Sequence, residues 1–321
     1  MDQKRKPRVY VVTPVYNTEE FLSECIESVL AQTFADFEYL IVDNASTDDS
    51  LAIARSYQEK DERIRVVACT DHLPQMPNYN RALRHIDTKF DYCKVMQADD
   101  VIYENCLNEM VAIAETDPRI AIVGAYTVLQ NRVFLDGLDF RERNLDGKDV
   151  CKRYFFGGNY ILGSPTTCLY RMNQISQLEN FYAENSPFAD ADAAFRILLD
   201  GRFGFVHQVL SVSREYPESI TASWDGYGSD VTLQRVMVEK YGSEVLSDKE
   251  CRAIGNRLRW RHRRAVGKGV LKLLGKSFFD FQRQALESAG IRLTAWDIFL
   301  GVWMALILGV IDIGSIIRRR M

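Results

Sequence analysis

Apolar and polar positions switch between two periods along the first half of the chain. Residues 9–13 form a β-branched run that stops at Pro14-Val15-Tyr16-Asn17, a turn. Over residues 18–33, Phe21, Leu22, Cys25, Ile26, Val29 and Leu30 recur at helical spacing. Asn17 or Thr18 can cap that helix, and Glu19 and Glu20 suit its first turn. Residues 37–42 predict a second strand, followed by the polar loop 43–50 and a helix over 50–59. Residues 64–68 predict a third strand, 72–80 a loop and 79–86 the start of a helix. Residues 93–96 end a fourth strand, and Asp99-Asp100 falls at its carboxyl end, before a helical pattern from Glu104. Residues 119–125 predict another strand. Strands and helices alternating at this spacing predict an α/β fold with a doubly wound, mostly parallel sheet.

In such a sheet ligands bind at the carboxyl ends of the strands. Polar clusters follow the first, second and fourth strands on that edge, so the predicted site is composite. Two adjacent carboxylates repel one another, and burying one unpaired is costly. A divalent cation or a substrate hydroxyl removes the penalty, and hard cations prefer oxygen ligands. Solvated turns also carry Asp-Asp, Tyr16 can be a loop aromatic packed on the first helix, and Asp43 can be a helix cap. Neither GxGxxG nor GxxxxGK[ST] is present, which argues against a Rossmann dehydrogenase and a P-loop NTPase.

At 321 residues the chain admits one large domain with appendages or two domains. Its 47% hydrophobic and 26% charged residues are those of a globular protein, and a net charge of −4 argues against nucleic-acid binding. Seven widely spaced cysteines without a CxxC pair predict buried thiols in a reducing compartment. The basic N-terminus precedes only a strand-length apolar run, unlike a secretory signal.

Thr13-Pro14-Val15-Tyr16-Asn17, Val42-Asp43-Asn44-Ala45-Ser46-Thr47-Asp48 and Gln97-Ala98-Asp99-Asp100, in this order and spacing, resemble the successive signatures of family 2 glycosyltransferases of the GT-A type. The likeness resumes over residues 187–221 and so covers roughly 7–221. It implies a sheet that binds a nucleotide-diphosphate sugar, a mixed acceptor-side region, and a transfer that inverts the sugar's anomeric configuration. Thr13, Pro14 and Tyr16 would then belong to the donor site, with the aromatic face stacked on the base. Asp43 would accept the imide N–H of uracil or thymine. Asn80, in Asn78-Tyr79-Asn80-Arg81-Ala82, would lie near the diphosphate and ribose. Arg81 would neutralise phosphate, an exposed helix-start arginine being the plain alternative. Asp99 would touch the ribose or the metal, and Asp100 would hold Mn²⁺ or Mg²⁺ on the diphosphate. Gln97 stands where the family often has a third acid, leaving one negative charge fewer.

Asn185-Ser186-Pro187-Phe188-Ala189-Asp190-Ala191-Asp192-Ala193-Ala194-Phe195-Arg196 resembles the family's Glu-Asp-x-Asp-hydrophobic-x-x-Arg element. Counting back from Arg196 makes Asp190 the catalytic base and puts Ala189 where the family has Glu; Asp192 is a helix cap, or the two are exchanged. General-base assistance contributes ~10²–10⁴-fold. Residues 211–221 resemble a strand ending in Arg-x-His-Pro-x-Ser, with Arg214 matching and Tyr216 replacing His; its hydroxyl can donate to a phosphate. Residues 136–139 and 141–148 read as a solvated excursion. Tyr154-Phe155-Phe156-Gly157-Gly158-Asn159-Tyr160, beside residues 163–167, reads either as a core strand and turn or as an acceptor loop stacking on a sugar.

The implied activity moves a sugar from a UDP-linked donor to a hydroxyl of a glycan or lipid-linked acceptor. A nucleotidyltransferase would carry a Gly-rich basic loop after the first strand, which residues 13–17 lack. A non-catalytic nucleotide-sugar binding module is the rival of another class, raised by Gln97, Ala189 and Tyr216. The expected domains are a catalytic one over 1–225, donor half 1–125 and acceptor half 126–225, and a helical region over 226–321. Residues 252–276 hold nine Lys/Arg and no acid, interleaved with Leu258, Val266, Val270, Leu273 and Leu274. They read as a solvated helical face or as a basic amphipathic helix on an anionic membrane. Residues 298–311 are uncharged; as a helix they span about 21 Å against a ~30 Å hydrocarbon core. Extension to Ile317 reaches about 30 Å but encloses Asp312. With Arg318-Arg319-Arg320 closing the run, the expectation is a cytoplasmic catalytic domain held on the membrane's inner face. Whether the last helix spans or lies in the interface is left open.

Overall fold

A computed structural model describes residues 8–177, 180–214, 224 and 226–320. The chain divides into two compact units: Met1–Glu184 with Ala189–Arg214, and Asn185–Phe188 with Glu215–Met321.

The first unit is built on β1 (Val9–Val15), α1 (Glu19–Leu30), β2 (Phe37–Asp43), α2 (Ser50–Gln58), β3 (Ile64–Ala68), α3 (Gln75–Leu83), β4 (Tyr92–Val95) and β5 (Val101–Ile102). It continues through α4 (Cys106–Ala114), β6 (Ile120–Leu129), β7 (Arg132–Phe134), β8 (Asn144–Asp146) and α5 (Gly147–Phe155). The described part ends with β9 (Cys168–Arg171), α6 (Met172–Ser176), α7 (Ala189–Leu198) and β10 (Arg202–Ser213). One sheet runs β3-β2-β1-β4-β9-β6-β10-β5, with β7 on β6 and β8 on β10. The β3-β2-β1-β4 half is parallel, and β9, β7, β8 and β5 pair antiparallel. All seven residues of β1 are buried, because helices cover both faces of a parallel sheet. Val9, Val11 and Val15 pack with Leu22, Cys25, Ile26 and Val29 of α1 in the core. Strand order reverses between β1 and β4, which opens a crevice at their carboxyl ends. Pro14 lies past Val12↔Val95, where pairing with β4 has ended, so its missing N–H breaks no ladder bond on that side.

Three local expectations change. α3 begins at Gln75 rather than Tyr79, and Pro77 sits inside its first turn. Prolines read as loop residues are tolerated there, since first-turn N–H groups have no helical acceptor. Residues 144–146 are a strand on β10, not part of a solvated excursion. Tyr154 and Phe155 end α5 instead of forming a strand, and both pack on Phe195 of α7, Phe155 stacked at 5.4 Å.

The second unit contains α8 (Ser229–Val245), α9 (Asp248–Leu271), α10 (Gly275–Glu287) and α11 (Ala295–Arg320). Ser247 and Glu250 close a capping box at the start of α9. A buried polar chain ties three helices: Arg235 Nη1 to His262 Nδ1 at 2.7 Å, His262 Nε2 to Gln282 Oε1 at 2.8 Å, and Gln282 Nε2 to the Tyr227 carbonyl at 2.7 Å. Guanidinium only donates, so His262 is neutral, accepts at Nδ1 and carries its proton on Nε2. Among the described residues no helix is long and apolar enough to cross a membrane.

Candidate functional site

The loops after β1 and β2 are fastened to each other by side chains. The Asn17 N–H donates to Ser46 Oγ at 3.1 Å, and Asn17 Oδ1 accepts from the Thr47 N–H at 2.8 Å. Asn17 and Ala45 adopt positive φ, a conformation Asn tolerates better than most residues. At the end of β2, Asp43 is buried; its Oδ2 accepts from the Ser46 N–H at 3.2 Å. Its Oδ1 is buried without a hydrogen-bond partner among the described residues, an acceptor waiting for a donor. Asn44 grips the next loop, exchanging bonds of 2.8 and 3.0 Å with the backbone of Leu73. That grip presents His72, whose ring lies 4.2 Å from the exposed ring of Tyr16.

The second cluster forms at the end of β4. Antiparallel pairing of β5 with β10, Ser211↔Ile102 and Val212↔Val101, draws the end of β10 over Asp100. Asp100 is 2% exposed; Oδ1 accepts from the Arg214 N–H at 3.1 Å and Oδ2 from Ser213 Oγ at 3.3 Å. Burial, then the neighbouring Asp99 charge, push its carboxyl up to about 7 despite bonds from Thr166, Arg214 and Ser213. Among the described residues no three acid, His or Cys side chains form a ready-made cation cage. The pair nevertheless fits a hard divalent cation that takes one or two carboxylates and completes its shell with water and phosphate. Such a cation would offset the crowding that raises Asp100.

Asp190 and Asp192 both lie in the first turn of α7. Asp192 is enclosed at 3% exposure, whereas Asp190 keeps some exposure and accepts the Ala191 N–H at 2.8 Å. Burial raises the Asp190 carboxyl above the usual carboxylate range. Tyr160, Tyr170 and Tyr182 lie near enough to feel its charge.

Several expected donor contacts have other partners. Thr13 is fully buried and shares a 2.9 Å hydrogen bond with Tyr39, so its side chain faces the core. Asn80 is buried too: its amide accepts from the Tyr182 N–H at 2.9 Å and donates to the Tyr182 carbonyl at 2.8 Å and to Glu184 at 3.1 Å. It clamps the segment that leads towards α7 instead of standing free for a ribose. Arg81 falls in the last turn of α3, not at a helix start, and binds Asp71 at 3.1 Å and Asn44. It therefore braces the loop that carries His72. Arg214 pairs with Glu24 and covers the Phe21 ring at 5.1 Å, yet its Nη1 is buried without a partner among the described residues. Tyr216 lies outside the described residues.

Thr166 was not anticipated. Its hydroxyl accepts the Gln97 N–H at 3.1 Å and bonds Asp100, while its carbonyl takes the fully buried Lys94 ammonium, which also reaches Met110 Sδ at 3.7 Å. The only signal in the sequence was a Pro-Thr-Thr turn after glycine.

Three comparisons bear on this site. The sequence model of the family described as Glycosyl transferase family 2 matches residues 10–176. Glycosyltransferase GlyG of Streptococcus pneumoniae is 25% identical over 248 residues, 74% of this chain and 79% of that protein. Among solved structures, S. aureus TarS 1–349 in complex with UDP-GlcNAc has a TM-score of 0.62 at 18% identity, covering 88% of this chain and 80% of the other. Mannosyltransferase PcManGT from Pyrobaculum calidifontis, in complex with GDP-Man and Mn²⁺, has a TM-score of 0.58 at 16% identity, covering 89% and 87%.

Proposed function

The chain belongs to glycosyl transferase family 2, and from that premise we propose that it transfers a sugar from a UDP-linked donor to a hydroxyl of a glycan or lipid-linked acceptor, with inversion. The observation that carries the donor reading is the unpartnered, buried Oδ1 of Asp43, which suits the imide N–H of uracil. Tyr16 and His72 supply aromatic faces for the base. Arg214, whose backbone N–H holds Asp100 and whose Nη1 is without a partner among the described residues, suits a diphosphate oxygen.

Asp190 takes the acceptor hydroxyl's proton as that oxygen bonds to the anomeric carbon. The bond from this carbon to the diphosphate breaks, and the nucleotide leaves with its electron pair. Asp100, with Asp99, would hold Mn²⁺ or Mg²⁺, which when bound supplies positive charge to the leaving diphosphate. Thr166 and Ser213 keep the Asp100 carboxylate oriented, and Asn80 holds the chain near Asp190. TarS with UDP-GlcNAc and PcManGT with GDP-Man and Mn²⁺ support a nucleotide-sugar donor and a divalent cation. The enzyme works in the cytoplasm at an anionic membrane surface, a reading supported by nine Lys/Arg and no acid over residues 252–276.

The test is a screen of UDP-, GDP- and CDP-sugars for hydrolysis with Mn²⁺ or Mg²⁺. Nucleotide release from a UDP-sugar is expected. Calorimetric donor binding without release under any condition would mean a non-catalytic binding module instead.

A further inference from the structure

Over residues 295–307, the last described helix is held by one face and bare on the other. Thr294 and Asp297 cap its start reciprocally: the Asp297 N–H donates to Thr294 Oγ1 at 3.1 Å and the Thr294 N–H to Asp297 Oδ2 at 3.1 Å. Asp297 also pairs with Arg263 of α9 at 2.7 Å. One turn on, Gly267 and Gly301 bring the two backbones together so closely that a Cβ on Gly267 would lie 2.0 Å from the Gly301 carbonyl oxygen. Arg263 opposite Asp297 and Gly267 opposite Gly301 make the helices parallel, which fixes both the axis and the rotation of α11.

Asp297, Gly301 and Ala305, four residues apart, are buried. Trp296, Phe299, Trp303, Leu306 and Ile307, at spacings of three, four, three and one, are 40–62% exposed. Trp296 and Phe299 stack on each other at 5.4 Å, which joins them into one aromatic surface. Contiguous apolar surface of this kind marks an interaction site in a protein chain. Near the end of α9, Lys268 follows Gly267 and is exposed, and exposed Lys272 and Lys276 come after that helix.

We infer that α11 docks in the plane of an anionic lipid surface, inserting Trp296, Phe299, Trp303, Leu306 and Ile307 while the positive charge of Lys268, Lys272 and Lys276 draws the chain to the headgroups. Charge decides between lipid and a second copy of the chain. Two copies joined by this helix would bring together two segments that each hold nine Lys/Arg and no acid over residues 252–276, whereas anionic headgroups neutralise them. A helix apolar on one face and fastened through an Asp–Arg pair on the other lies in an interface rather than spanning it. Trp and Phe suit that depth, where apolar rings meet polar headgroups.

This docking rests on the membrane placement proposed above, and vesicle binding by the full chain tests it separately from catalysis. With phosphatidylglycerol–phosphatidylcholine vesicles at low salt, the chain should co-sediment and its tryptophan emission should shift to the blue; with pure phosphatidylcholine it should stay in solution. Phe299→Ser/Trp303→Ser and, separately, Lys268→Glu/Lys272→Glu should each weaken binding at least tenfold, with far-UV circular dichroism and donor hydrolysis in solution unchanged. Absence of binding to anionic vesicles, or unaltered binding by both folded variants, overturns the docking. So does a dimer in sedimentation velocity that Phe299→Ser/Trp303→Ser dissociates while vesicles capture neither protein. If vesicles bind but no donor is hydrolysed, the docking stands and the transferase reading falls.

Discussion

Replacing Asp43 with Asn should do more than remove a charge. In the native site Oδ2 is held by the Ser46 N–H at 3.2 Å, and Oδ1 is the buried atom without a partner. An asparagine must turn its one oxygen towards Ser46 to keep that bond, which leaves its NH₂ where Oδ1 was. The uracil imide N–H would then face an N–H instead of a carboxylate oxygen. Hydrogen bonds to charged groups contribute about 1.5–3 kcal/mol, roughly 10- to 150-fold in affinity. UDP should therefore bind Asp43→Asn at least tenfold more weakly, read by calorimetry with Mn²⁺ present. Cytosine presents a ring-nitrogen acceptor where uracil has its N–H, so CDP should lose less or gain, and the UDP/CDP preference should narrow. The fold should be unchanged, since the Ser46 bond survives. UDP affinity within about threefold of the native protein, with native CDP discrimination, would refute the assignment of Asp43 to the base.

Asp190→Asn should leave donor affinity within a few-fold and lower turnover by ~10²–10⁴; if Asp192→Asn behaves so and Asp190→Asn does not, the base is the other carboxylate. Because burial raises the Asp190 pKa, the native rate should fall on acidification at a pH above the ordinary carboxylate range, as the base takes up its proton. Asp100→Asn should abolish donor hydrolysis and remove the Mn²⁺ dependence of UDP binding; near-native Mn²⁺-dependent turnover would count against its role. His262 is pushed down to about 4 by burial and then by Arg235, with Gln282 and Asp297 opposing and Arg263 adding to the shift. A histidine with a lowered folded pKa binds fewer protons folded than unfolded, so its contribution is whole above the usual 6.5 and is lost as pH falls towards 4. The loss amounts to about 3 kcal/mol. Thermal melts at pH 7.5 and 4.5 should show the drop, and a His262→Gln protein losing the same amount over this interval would rule out His262 as its source.

Period and punctuation alone placed β1 to β4 and the helices α1 and α2, because each is a local pattern bounded by turn residues. They also put Asp43 and Asp99-Asp100 at strand ends, where a parallel sheet gathers its ligand contacts. What they could not decide is which side chains remain free. Thr13, Asn80 and Arg81 fit a donor motif, yet their partners Tyr39, Tyr182 and Asp71 come from other elements, and Asn80 meets Tyr182 across 102 residues. Nothing in the spacing of either segment records such a bond. The same holds for Asp100, whose contacts with Ser213 and Arg214 exist only because β5 pairs with β10 across more than a hundred residues. In the C-terminal unit the sequence shows a basic helix and an apolar one. Which face of the apolar helix is covered depends on the Gly267–Gly301 contact and the Arg263–Asp297 pair. Sequence pattern specifies elements because propensity and burial act locally; partners are chosen by packing, which only the folded chain determines.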